Sequence, residues 1–217
     1  MLMWAQTAVA GGAEVWPLRA LPGAAEDRLS TKARAQGATG ESALPACSRA
    51  APEIVLCVMS RRVSGQVAMV DELTAAGLST DQVIAMAGRH LETAWSATPA
   101  RTFTVDGVAG RYFVRAAGDG FDAAALLRPE LLAELAGAVP VVAVPEDGTV
   151  VWWVPGDPDF DKMVAVGVRR MVEASDSPVS SRIYRHTGTE WSTWGEVRGN
   201  IELPQPVPAG PGGSGAP

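Results

Sequence analysis

Val139-Pro140-Val141-Val142-Ala143-Val144-Pro145-Glu146-Asp147-Gly148-Thr149-Val150-Val151-Trp152-Trp153-Val154 holds two apolar runs of strand length around a four-residue turn. Strands joined so closely form a hairpin and run antiparallel. Almost every position from Val139 to Val144 and from Thr149 to Val154 is apolar, so neither strand offers a solvent face. The pair therefore reads as central in its sheet.

The same pattern extends in both directions. Arg101 to Val105 and Arg111 to Ala116 flank Asp106-Gly107, a strong short hairpin signal, and Ser181 to His186 and Glu190 to Val197 flank Thr187-Gly188-Thr189. Ile54 to Met59 is a further apolar run rich in β-branched residues, and Asp71 to Ala76 reads as one helical turn stopped by Gly77. Ser79-Thr80-Asp81-Gln82 is a capping box that starts a helix to about Trp95, with Val83, Met86, Ala87, His90, Leu91 and Ala94 on one face. Asp122 to Leu127, with Asp122 as N-cap, and Pro129 to Ala136 read as short helices. Asp157 to Ala174 reads as a long one, with an apolar stripe of Phe160, Met163, Val164, Gly167, Met171 and Ala174. This order predicts an α+β fold: a mainly antiparallel sheet built from hairpins, packed by two long helices and two short ones.

Length and composition set the boundaries. The chain has 217 residues, with 23 glycines, 16 prolines and a charged fraction of 19%. Residues 1–50 show no sustained period and read as an irregular N-terminal segment, residues 53–197 as a single α+β domain, and residues 204–217 as a disordered Pro/Gly tail. The apolar start lacks the positive region of a secretory signal, and no run reaches the ~18 residues of a membrane span. A soluble cytoplasmic protein is the expectation, with Cys47 and Cys57 as reduced thiols. The net charge of −6 carries no basic stripe, which argues against nucleic acid as a partner. Sixteen of the eighteen basic residues are arginine, which reads as the codon bias of a GC-rich bacterial genome.

Gly77-Leu78-Ser79-Thr80-Asp81-Gln82-Val83, Ala85-Met86-Ala87, Gly118-Asp119-Gly120-Phe121-Asp122-Ala123 with Leu126-Leu127, and Val142-Ala143-Val144-Pro145 occur in that order. In this the chain resembles the bacterial YtpQ-like family over about Val67 to Trp194. It departs from that family in its first 50 residues and its Pro/Gly tail. The resemblance implies a cytoplasmic globular bacterial protein and supplies no reaction.

Candidate chemistry is sparse. Asp119, Gly120 and Asp122 form the most concentrated polar loop, with Asp147 in a second turn. Two carboxylates can share a cation, but the glycines and a helix cap explain the loop more simply. Asp157, Asp159 and Asp161 imitate the start of a calcium loop, yet Lys162 stands where its glycine belongs and Val168 where its bidentate glutamate belongs. His90 and His186 have no ligand-spaced neighbours, and there is no nucleophile elbow, Cys-x-x-Cys or phosphate loop. Neither a metal nor another cofactor is expected.

The tryptophans offer more. Trp152 and Trp153, adjacent on one strand, point to opposite faces, and Trp191 and Trp194 do the same. Wherever one is exposed, its face becomes the candidate binding surface. The sequence thus favours a non-catalytic protein acting through protein contacts, in a regulatory, adaptor or immunity-type role, without a membrane or nucleic-acid partner. A metal-dependent hydrolase around Asp119 and Asp122 and a secretion-chaperone-like client binder are the alternatives.

Overall fold

The computed structural model describes residues 16–204. The apolar run at residues 1–10 and, apart from Pro204, the expected tail lie outside the described residues. The chain forms an α+β fold with two antiparallel sheets. The larger runs in the order β4 (Arg101–Val105), β5 (Val108–Arg115), β7 (Thr149–Trp153), β6 (Val141–Glu146), β8 (Arg182–His186) and β9 (Trp191–Glu196). The hairpin that decided the fold lies at its centre, and every residue of β7 is buried.

That placement explains the adjacent tryptophans. Trp152 joins a core with Val142, Val144, Phe113 and Tyr184, closed by α3 (Thr80–Ala97), α4 (Pro129–Ala136) and the smaller sheet. Trp153 joins a second core with Val141, Val151 and Ile183, closed by α5 (Pro158–Ala174). Both indoles are fully buried, at 0% exposure, because each face of the sheet has its own cover.

Within the first 50 residues the described part is not irregular, contrary to expectation. From Leu18 they form β1 (Leu18–Pro22), α1 (Ala25–Ala35), a short 3₁₀ turn and β2 (Cys47–Ala51). β1 and β2 flank β3 (Ile54–Val58) in the smaller sheet, so the strand expected alone at Ile54 has partners on both sides. α1 lacks an apolar stripe: its polarity is that of the macrodipole, acidic at Glu26 and Asp27 and basic at Lys32 and Arg34, and it buries only Ala25. Cys47 and Cys57 stand opposite each other in the β2–β3 register and are joined in a disulfide, which corrects the reading of two reduced thiols.

Ser79 and Gln82 form the capping box of α3 reciprocally, at 3.2 and 2.8 Å. The buried face of α3 is turned from the expected one: Ile84, Gly88 and Trp95 enter the core, while Met86 and His90 remain half-buried. α5 is turned likewise, burying Phe160, Asp161, Val164, Ala165 and Val168 and leaving Met163 exposed. α2 (Val70–Ala75) is the short turn before Gly77.

Candidate functional site

The polar loop expected around Asp119 closes over an arginine. Arg115 ends β5 on the face it shares with Phe113 and Trp152, and it is 1% exposed. A guanidinium has five N–H donors, and burial demands a partner for each. Here Nε donates to the Thr98 carbonyl at 3.0 Å and Nη2 to the Ala94 carbonyl at 3.3 Å, both at the C-terminal end of α3, where a cation is favoured. Nη1 donates to Asp122 Oδ1 at 2.5 Å and to Asp119 Oδ1 at 3.1 Å, and Nη2 donates to Asp119 Oδ2 at 2.5 Å. The guanidinium also lies 5.2 Å from the centre of the Trp95 ring.

The carboxylates are equally committed. Asp122 accepts from the Ala117 and Gly118 N–H groups at 3.1 and 2.9 Å, and Asp119 from the Phe121 N–H at 2.9 Å. Asp122 makes no cap for the short helix Ala123–Leu127; it faces inward to Arg115, which corrects its expected role. Burial pushes its carboxyl above the ordinary range, against the pull of the Ala117 N–H and Arg115. Gly120, at φ +80°, lets β1 approach: its carbonyl accepts from the Leu18 N–H at 3.3 Å, and a Cβ there would stand 3.0 Å from Pro17.

Asp147 belongs to the same junction. It accepts from the Ala20 N–H at 2.8 Å and pairs with Arg19 at 2.8 Å, so it holds β1 to the β6–β7 turn. Burial raises its carboxyl above the ordinary range despite Arg19, and the Asp122 charge adds to the rise. The four loop residues singled out in the sequence thus gather at one seam, as a clasp between the smaller sheet, the larger sheet and α3. Sequence reasoning missed its centre. An arginine in phase with Phe113 on a strand beside an apolar hairpin was the available signal, because an inward guanidinium requires carboxylates.

The acidic start of α5 is also consumed internally. Asp157 caps the helix through the Asp159 and Phe160 N–H groups at 3.0 and 3.1 Å. Asp161 is buried, accepting from Trp153 Nε1 at 2.9 Å and the Gly156 N–H at 3.1 Å. Among the described residues no group of three or more His, Cys, Asp or Glu side chains is placed to hold a metal ion.

The four candidate tryptophans do not form a surface. Trp152, Trp153 and Trp191 are buried and Trp194 is half-buried against Trp153, which corrects the surface suggested for them. Trp191 and Trp194 do face opposite ways, Trp191 donating to the Leu126 carbonyl at 2.8 Å. Exposed apolar side chains are scattered among the described residues, at Leu44, Val63, Leu135, Val139 and Val154, and two of them, Phe103 and Met163, stand on β4 and the neighbouring edge of α5. Phe103 is 37% exposed and stacked on Tyr112, and Met163 is 38% exposed. Val105, Tyr112, Met163, Gly167 and Met171 line an open groove of about 340 Å³ between strand and helix.

These features define an α+β protein with a structural clasp and a separate open groove between β4 and α5. Comparison with protein-family models, curated proteins and solved structures found no match. Among the described residues no helix is long and apolar enough to cross a membrane.

Proposed function

We propose that this chain is a non-catalytic bacterial protein of the YtpQ-like kind that works by contacting another protein, through the groove between β4 and α5. One observation carries this reading: the acidic side chains that resemble chemistry are bound to arginines, an indole and backbone N–H groups, whereas the groove between β4 and α5 is lined mainly by apolar side chains and stands open beside the exposed Phe103 and Met163. Contiguous exposed apolar surface is a mark of interaction sites. The regulatory, adaptor or immunity-type role stays within this proposal.

The test is affinity capture with the immobilised full chain, followed by measured binding of each captured protein. A partner lost with Phe103→Lys and retained with Asp119→Asn supports the contact reading. Dependence on Asp119 with indifference to Phe103 would overturn it in favour of chemistry at the loop.

Location is part of the same proposal. The Cys47–Cys57 bond weighs against the cytoplasm expected from the sequence, since such bonds persist chiefly in oxidising compartments. Trapping thiols at the moment of lysis decides between the two.

A further inference from the structure

We infer that the occupant of the β4 edge is a second copy of this chain, paired strand to strand about Phe103. This rests on the contact reading above and names its partner. An unpaired strand edge is a template for another chain, and folded proteins usually close it. Among the described residues three of the four sheet edges carry such devices. β1 ends in Pro22 and gives the Leu18 and Ala20 N–H groups to Gly120 and Asp147. β2 has a register break between Arg49 and Ala51. β9 is overlaid by Glu202, which exchanges backbone hydrogen bonds with Glu196 at 2.9 Å.

β4 differs. It pairs with β5, it contains no proline, and the extra residues of the irregularity beside it belong to β5, so β4 itself stays regular. Its sequence, Arg101-Thr102-Phe103-Thr104-Val105, is nearly symmetric about Phe103. An antiparallel copy centred there sets Phe103 against Phe103, Thr102 against the partner's Thr104, and Arg101 opposite the partner's Val105. Aromatic and threonine pairs are favourable cross-strand combinations. Such a contact is isologous and closes on itself. Its two-fold axis places both α5 helices on one side of the joined sheet, flanking the Phe103 pair.

Gly167 fits the same arrangement. A glycine inside a helix is unfavourable, and here nothing lies within 4 Å of where its Cβ would stand. Among the described residues nothing requires a bare backbone on that side of the groove, which leaves room for a close-packed second copy.

Sedimentation of the full chain over a range of concentrations tests this, with circular dichroism to confirm folding. The chain is expected to dimerise, and Phe103→Lys to raise the dissociation constant at least about tenfold. Because Cys47 and Cys57 are bonded to each other, Phe103→Cys supplies a lone thiol beside its own copy. It should oxidise to a covalent dimer faster than Thr189→Cys on the exposed β8–β9 turn. A chain monomeric throughout, or a dimer insensitive to Phe103→Lys, overturns the self-pairing, as does crosslinking no faster than the Thr189→Cys control. A monomer that still loses a different bound protein with Phe103→Lys overturns self-pairing alone, while indifference in both assays overturns the contact reading as well.

Discussion

Arg115 and Asp122 stand 2.5 Å apart, each with only 1% of its side chain exposed. Removing Asp122 leaves the buried guanidinium with Asp119 as its one carboxylate partner and strips the Ala117 and Gly118 N–H groups of their acceptor. Asp122→Ala should therefore cost about 3–5 kcal/mol of stability. Asp119 is 29% exposed, and Asp119→Ala should cost about 1 kcal/mol, near the value of partly solvated pairs. Urea unfolding of the two variants checks the order, and equal midpoints would refute the claim that burial sets the size of the effect.

The clasp also shows what a sequence exposes and what it hides. The central hairpin, the capping box and the acidic start of α5 depend on neighbours a few residues apart, so their patterns could be read directly. Asp119, Asp122 and Asp147 stood out as polar loop residues, but their purpose depends on Arg115 and Arg19, whose contacts are made by folding. The smaller sheet was hidden for a related reason: β1 and β2 are five residues each, and their apolar partners come from β3 and the larger sheet. The burial of Trp152 and Trp153 followed from α5 covering the second face, a tertiary fact that strand alternation leaves open.

Two glycines should respond oppositely to alanine. Gly110 sits at φ +143°, and a Cβ there would lie 2.8 Å from the buried Phe160 ring, so Gly110→Ala combines backbone strain with overpacking and should cost about 1–3 kcal/mol. Gly167 is helical with open space beside it. Gly167→Ala should add about 0.5–1 kcal/mol to the stability of the monomer. Thermal unfolding at low protein concentration separates the two, and a destabilising Gly167→Ala would mean that the helix meets a constraint within the chain.

The Cys47–Cys57 bond spans a separation of 10 residues. Closing a loop of that size restricts the unfolded chain by about 2–3 kcal/mol on the chain-entropy account. The double replacement Cys47→Ala with Cys57→Ala should lower the unfolding free energy by that amount, read from urea unfolding. Backbone amides of β2 and β3 should lose protection from hydrogen exchange before those of β6 and β7, which are held in the larger sheet. Equal loss across both sheets would show that the bond stabilises the whole fold without local preference.

Asp161 provides a pH signature. Burial raises its carboxyl above the ordinary 3.8, and the nearby Asp157 adds to the rise, against the pull of Trp153 and the Gly156 N–H. A carboxyl that holds its proton more tightly when folded contributes stability that is fully present below pH 3.8 and is lost as pH rises through the folded value. Asp161→Asn should flatten that segment of the stability curve. Urea midpoints measured at intervals from pH 3.8 upward check this, and an unchanged slope in the variant would assign the dependence to other groups.

Trp152 and Trp153 complete the set of contrasts, because they are equally buried and differently bonded. Trp153 Nε1 donates to Asp161, while Trp152 Nε1 has no hydrogen-bond partner among the described residues and its ring packs against Trp95 and Phe113. Replacing either with phenylalanine removes similar volume from a close-packed core, so the cavity terms are comparable. Only Trp153→Phe also strands a buried carboxylate oxygen, a further loss of about 1–3 kcal/mol. Trp152→Phe instead removes an indole N–H that is unsatisfied in the folded state, which offsets part of its cavity cost. Chemical unfolding should therefore place Trp153→Phe well below Trp152→Phe, and the gap should shrink when both are made in the Asp161→Asn background. A gap that persists there would mean that packing of the second core, and not the Asp161 hydrogen bond, distinguishes the two faces of the sheet.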